Sequence, residues 1–103
     1  MKYNFEWDPN KAKTNKDKHG VSFEDACTIF KDPKALTLFD EQHSEYEERW
    51  ISLGLAFSGK LLVVCHTFKE IDKTDSIIRI FSSRKATKRE ANNYGEKSYE
   101  ERI

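Results

Sequence analysis

A chain of 103 residues, 37% hydrophobic and 35% charged, suits one domain with a small core and a heavily charged surface. Seven Phe, four Tyr and two Trp supply burial area that a disordered chain lacks. The net charge is zero but uneven: residues 21–50 hold eight acids and three bases, whereas residues 51–103 hold ten bases and seven acids. This excludes indiscriminate polyanion binding by the whole surface and leaves room for a local basic site.

Cys27 and Cys65 are isolated in apolar contexts, with no CxxC or Cys/His cluster. A reduced cytoplasmic chain without zinc or another cofactor is expected. The chain opens Met-Lys-Tyr-Asn-Phe-Glu, without an apolar signal segment, and no stretch approaches transmembrane length. A single soluble domain over residues 1–103, away from membranes, is the expectation.

Tyr3, Phe5 and Trp7 alternate with Asn4 and Glu6, which predicts a short strand with an aromatic face. Asp8 and Pro9 form a helix start, because proline at the first helical position gives up an N–H that has no partner there. A polar helix over 11–18 follows, packing through Ala12 and lysine stems, and Gly20 stops it. Ser22 caps a second helix whose Phe23, Ala26, Cys27 and Phe30 form an apolar stripe. Asp32-Pro33 ends it.

Four strands are then predicted, over 35–40, 49–57, 60–68 and 76–83. Ser58-Gly59 joins the second and third as a hairpin, and short connections favour antiparallel pairing. Residues 40–48 form an acidic loop, read either as solubilising or as a contact for a basic partner chain. Residues 69–75 form a charged loop. Thr87-Lys88-Arg89-Glu90 has the capping-box pattern, predicting a helix over 87–94 that Gly95 breaks. The fold class is α+β: two N-terminal helices on a four-stranded antiparallel sheet, plus a C-terminal helix.

No Gly-rich phosphate loop, nucleophile elbow or paired-histidine metal spacing is present. The chemistry-bearing residues are basic. Arg79 sits among isoleucines, so its guanidinium either pairs with an acid or lines a cleft open to water. Arg84, Lys85, Lys88 and Arg89 crowd a helix start. Positive charge there opposes the macrodipole, which suggests an anion such as RNA phosphate at that terminus. His66 is either a packed imidazole or a general acid or base. His19 reads as a helix C-terminal residue and His43 as solvated. By strand alternation Arg79 shares a face with Ile77 and Phe81, and Arg84 with Ile78 and Ile80. The two arginines therefore point to opposite faces, unless a bulge or the strand end reorients one.

Phe5-Glu6-Trp7-Asp8-Pro9-Asn10-Lys11-Ala12, then Asn15 and Lys18-His19-Gly20-Val21-Ser22-Phe23-Glu24, resemble the N-terminal signature of BrnT-type toxins. Glu48-Arg49, Gly54, Val63-Val64 and His66-Thr67 resemble the central pattern. Arg79-Ile80, the run from Ser83 to Glu90, and Tyr94 resemble the C-terminal one. The resemblance implies a RelE-like fold and a type II toxin that stops translation by cutting RNA. It also implies a BrnA-type ribbon-helix-helix antitoxin, through which the pair contacts operator DNA. Where family members commonly carry arginine after the His-Thr pair, this chain has Phe68-Lys69, which keeps the charge but loses the planar fork.

The mechanism expected from these readings is metal-independent attack of the RNA 2′-hydroxyl on the adjacent phosphate. Arg79 and Arg84 hold that phosphate, Lys69 assists, and His66 moves protons. Lys85, Lys88 and Arg89 follow the flanking backbone. A catalytically weak binding module, acting as co-repressor with its antitoxin, is the alternative.

Overall fold

A computed structural model of the chain describes residues 2–102, with side chains described through residue 95. Asp8 caps α1 (Pro9–His19) by accepting from the Asn10 N–H at 2.8 Å, and Gly20 closes it in the left-handed conformation at φ 70°. Ser22 caps α2 (Phe23–Cys27) by accepting from the Asp25 N–H, and a 3₁₀ turn over Thr28–Lys31 continues it. The tighter turn rotates the apolar stripe. Ile29 becomes fully buried beside Phe23 and Ala26, whereas Cys27 and Phe30 are only partly buried.

The sheet differs from the expected four antiparallel strands. Six strands are present: β1 (Lys2–Glu6), β2 (Leu36–Phe39), β3 (Trp50–Leu55), β4 (Leu61–His66), β5 (Lys69–Glu70) and β6 (Asp75–Lys85). The order is β1-β6-β4-β3-β2, with β5 paired to β6 off this path. The β2-β3-β4-β6 pairings are antiparallel as expected, but β1 runs parallel to β6, with Lys2 beside Asp75 and Glu6 beside Arg79. A parallel partner seventy-odd residues away leaves no turn signal in the sequence. β5 lies within the predicted charged loop.

The helices cover one face of the sheet. Val21, Phe23, Ala26 and Ile29 pack against Leu62, Val64, Ile78 and Ile80. Gly54 of β3 lies over this contact, where a Cβ would fall 2.9 Å from that of Ile29. α1 is joined to the sheet by Asn15 rather than by Ala12 alone. The buried Asn15 amide donates to the Val21 carbonyl (3.0 Å) and the Ser83 carbonyl (2.8 Å), and its oxygen accepts from the Ser83 N–H (3.0 Å). One side chain thus ties the end of the first helix to β6.

α3 (Lys88–Arg102) runs through Gly95 instead of stopping there. Its start is the predicted capping box: Thr87 N–H donates to Glu90 Oε1 (2.8 Å), and Glu90 N–H donates to Thr87 Oγ1 (3.2 Å). The Tyr94 hydroxyl donates to Asp32 Oδ2 at 2.6 Å, which fixes the helix against the end of the 3₁₀ turn.

Candidate nucleic-acid interface

A bulge in β6 decides where its arginines point. Cys65 pairs with Ser82 but His66 pairs with Ile80, so Phe81 is the extra residue. Ser76, Ile78 and Ile80 are buried before the bulge, and Ser83 after it. Inward positions therefore switch from even to odd across Phe81. Arg79 and Arg84 consequently leave the same outer face, which resolves the conflict that simple alternation creates.

Arg79 lies where two open grooves meet. One, of about 490 Å³, is lined by Glu6, Trp7, Asp8, Lys11 and Phe81. The other, of about 360 Å³, is lined by Glu47, Glu48, Thr67 and Lys69. The Arg79 Nε and Nη2 atoms each lie 3.2 Å from Glu6 Oε1, and both side chains are half exposed. Its backbone is fixed by Thr67, whose hydroxyl accepts from the Arg79 N–H at 3.1 Å. An ion pair this exposed is worth at most about 1 kcal/mol, so an incoming phosphate can displace the carboxylate cheaply.

Two further cations flank the bulge, and neither was singled out for chemistry from the sequence. The Arg49 guanidinium stacks 4.0 Å from the Phe81 ring centre, and the Lys11 ammonium lies 5.4 Å from it. Arg49 Nε is buried without a hydrogen-bond partner, and Glu47 is 3.5 Å from its Nη2. Lys11 and Phe81 also border a third groove, of about 400 Å³, with Lys18, His19 and Ser82. His19 therefore faces the basic surface as well as ending α1. The signal was spacing: Lys11, Lys18 and His19 fall at i, i+7 and i+8 on one helix face.

Arg84 is held differently. Its Nη1 and Nη2 donate to the two Glu90 carboxylate oxygens at 2.8 and 3.0 Å. This pairing pulls the Glu90 carboxyl down to about 2, against the opposing effect of burial. The same carboxylate holds the α3 cap, so the anion expected at this helix start is supplied by Glu90 itself. Lys85, Lys88 and Arg89 are exposed around it.

His66 is not in either groove. It faces the core, 2% exposed, on the opposite side of the sheet from Arg79. Its Nδ1–H donates to the Thr67 carbonyl at 2.9 Å, which leaves Nε2 to accept from the Ser52 hydroxyl at 2.7 Å. Ser52 in turn meets Thr37 Oγ1 at 2.8 Å. Burial holds this imidazole below its usual range. Strand alternation directs the His66 side chain inward, where it is packed and hydrogen-bonded on the core face. Lys69, in contrast, is exposed and shares a groove with Arg79. Burial, with Glu24 nearby, pushes the Cys27 thiol up to about 12, so it offers no thiolate.

The family described as "Ribonuclease toxin, BrnT, of type II toxin-antitoxin system" matches residues 7–90. The chain belongs to the BrnT toxins. Among solved structures, the Brucella abortus ribonuclease toxin BrnT is similar, with a TM-score of 0.57 and 21% identity over 85% of this chain and 100% of that one. At that identity the likeness speaks for the fold: a mixed sheet with helices on one face. No curated protein matches the sequence closely. The BrnT match spans all the cations around Phe81, from Lys11 to Arg89, and stops at Glu90.

Proposed function

We propose that this BrnT chain cuts single-stranded RNA by metal-independent attack of the substrate's 2′-hydroxyl on the neighbouring phosphate. The observation that carries the reading is Arg79: a half-exposed guanidinium at the junction of two grooves, on an exchangeable partner, with Lys11 and Lys69 on either side. The reaction needs the attack held in line and the extra negative charge of the pentacoordinate phosphorus stabilised. Arg79 exchanges the Glu6 carboxylate for that phosphate. Lys69 adds a point charge from β5.

The 2′-hydroxyl proton must leave as the O2′–P bond forms, and the departing O5′ must gain one as the P–O5′ bond breaks. The products are a 2′,3′-cyclic phosphate and a 5′-hydroxyl. His19 is assigned the proton transfer in place of His66, because its groove shares Lys11 and Phe81 with that of Arg79. Arg49, stacked on Phe81, is assigned to a flanking phosphate. Lys85, Lys88 and Arg89 track the strand further along β6. Arg84 holds the start of α3 rather than the scissile phosphate. The site works in the cytoplasm, opposed by a BrnA-type antitoxin that carries the pair to operator DNA.

The test is cleavage of a single-stranded RNA by the purified chain in EDTA, with Arg79→Ala beside it. Undiminished cleavage by the variant sinks the Arg79 assignment, and loss of wild-type activity in EDTA sinks metal independence. The carboxylates on both Arg79 and Arg84 favour a second reading, in which the chain is a non-catalytic co-repressor. Absence of growth arrest on expression without the partner, with operator binding still strengthened, would decide for it.

A further inference from the structure

β2 is an edge strand, with no strand of the described residues paired to its outer side. It ends the sheet order, and its sequence, Leu36-Thr37-Leu38-Phe39, carries no charge and no proline. Natural edges are usually blunted by lysine, proline or a bulge, because an apolar edge templates pairing with another chain. Here Leu38 is 71% exposed, and Tyr46 in the following loop is 93% exposed. The ladder shows which backbone groups are free to pair. The Asp40 N–H donates to the Arg49 carbonyl, so Leu38–Ile51 and Leu36–Leu53 are the other hydrogen-bonded pairs of this antiparallel ladder. The N–H and C=O groups of Thr37 and Phe39 therefore point away from β3.

The surroundings choose the occupant. Glu41 and Glu45 are exposed in the loop that follows this strand. Neither carries an ion pair among the described residues, whereas Glu47 and Glu48, further along the loop, line the Arg79 groove. A second copy of the chain adding edge to edge would bring two such acidic loops together, which like-charge repulsion opposes. Arg79 lies on β6, separated from β2 by β4 and β3, so a strand added at the outer edge of β2 does not fill its grooves.

We infer that β2 receives an extended, basic segment of the antitoxin by strand addition. Its backbone pairs with Thr37 and Phe39, an apolar side chain covers Leu38 and Tyr46, and its lysines or arginines meet Glu41 and Glu45. The inference rests on the toxin–antitoxin reading. It deepens that reading by placing the partner away from the RNA groove, so the antitoxin would anchor at β2 and block the groove only with another of its parts.

The experiment is amide hydrogen exchange on the full-length chain, alone and in complex with the antitoxin co-expressed from the neighbouring reading frame. The Thr37 and Phe39 amides should exchange at least about tenfold more slowly in the complex. Leu38→Lys and, separately, Thr37→Pro should weaken the complex at least about tenfold. Both should leave RNA cleavage by the free chain unchanged, which also reports that the variants fold. Raising salt should loosen the wild-type complex, and less so after Glu41→Gln with Glu45→Gln. Protection confined to the Arg79 grooves, with Thr37 and Phe39 unaffected, overturns the inference. Protection at β2 in a chain that cuts no RNA overturns the cleavage reading and leaves this one standing. No complex with the wild-type chain overturns both the pairing and the surface.

Discussion

Arg79 and Arg84 leave one strand on one face, yet their electrostatic circumstances differ. Arg79 shares a single oxygen of an exposed carboxylate. Arg84 grips both oxygens of Glu90, which is itself built into a helix cap. At about 3.3 Å per residue the two α-carbons lie roughly 15 Å apart, too far for an unforced grip on one phosphate. The difference separates a cation available to substrate from one committed to the fold. It also shows that the number of arginines on a face says little until their carboxylates are located.

The largest expected effect is at the available end. Arg79→Ala should lower the rate of RNA cleavage by about 100-fold or more, roughly 2.7 kcal/mol of lost transition-state stabilisation, with the folded state almost as stable as before. Arg84→Ala should do the reverse: a stability loss of about 1 kcal/mol in urea unfolding, with only a few-fold loss of rate. Equal rate losses in the two variants would erase the distinction.

The register that makes the comparison possible is maintained by Asn15. Asn15→Ala leaves the Ser83 N–H and carbonyl and the Val21 carbonyl without their partner, at a cost of about 2–4 kcal/mol in urea unfolding. A loss under about 1 kcal/mol would mean that the strand beyond the bulge is held by something else.

Much of this was legible in the sequence, and what was not has physical causes. Asp8-Pro9, Gly20, Ser22 and the Thr87–Glu90 box announced helix ends because caps are local chemistry. The antiparallel strands announced themselves through short turns. The β1–β6 pairing did not, since it joins opposite ends of the chain. Asn15 read as a polar helix residue, because nothing within its own helix reveals the strand it bonds. The bulge at Phe81 was equally silent, and it reversed the facing of Arg84. Arg79 stands out as a charge in an apolar strand, and Lys69 through the family resemblance at the position after the His-Thr pair. Arg49 was missed as a site residue because its significance lies in a ring thirty-two positions away.

The opposite face of the bulge provides a smaller effect. His66 lies across from Ile80 with its pKa lowered by burial. An unfolded chain takes up a proton at this histidine as pH falls through about 6.5, whereas the native chain resists it. The stabilisation is thus complete above that value and declines below it. Urea unfolding should show about 1 kcal/mol less stability at pH 5 than at pH 7.5 from this group, and His66→Asn should flatten that slope. The same variant should leave the pH dependence of cleavage unchanged, whereas His19→Ala should slow cleavage itself. A cleavage profile altered by His66→Asn instead would return catalysis to the core side.

The smallest effects belong to the cations beyond Arg84. Lys85, Lys88 and Arg89 are exposed and line neither of the Arg79 grooves nor the one beside His19, so their expected pull on RNA is electrostatic. Such contacts act through counterion release. Each neutralised phosphate contributes about 0.7 to the slope of log affinity against log salt for a single strand. Lys88→Ala should therefore weaken binding by a few-fold at low salt, by the same factor for every RNA sequence, and lower that slope by somewhat under one. A sequence-dependent loss would mean that the side chain reads a base, and the strand's path would then turn toward α3 instead of following β6.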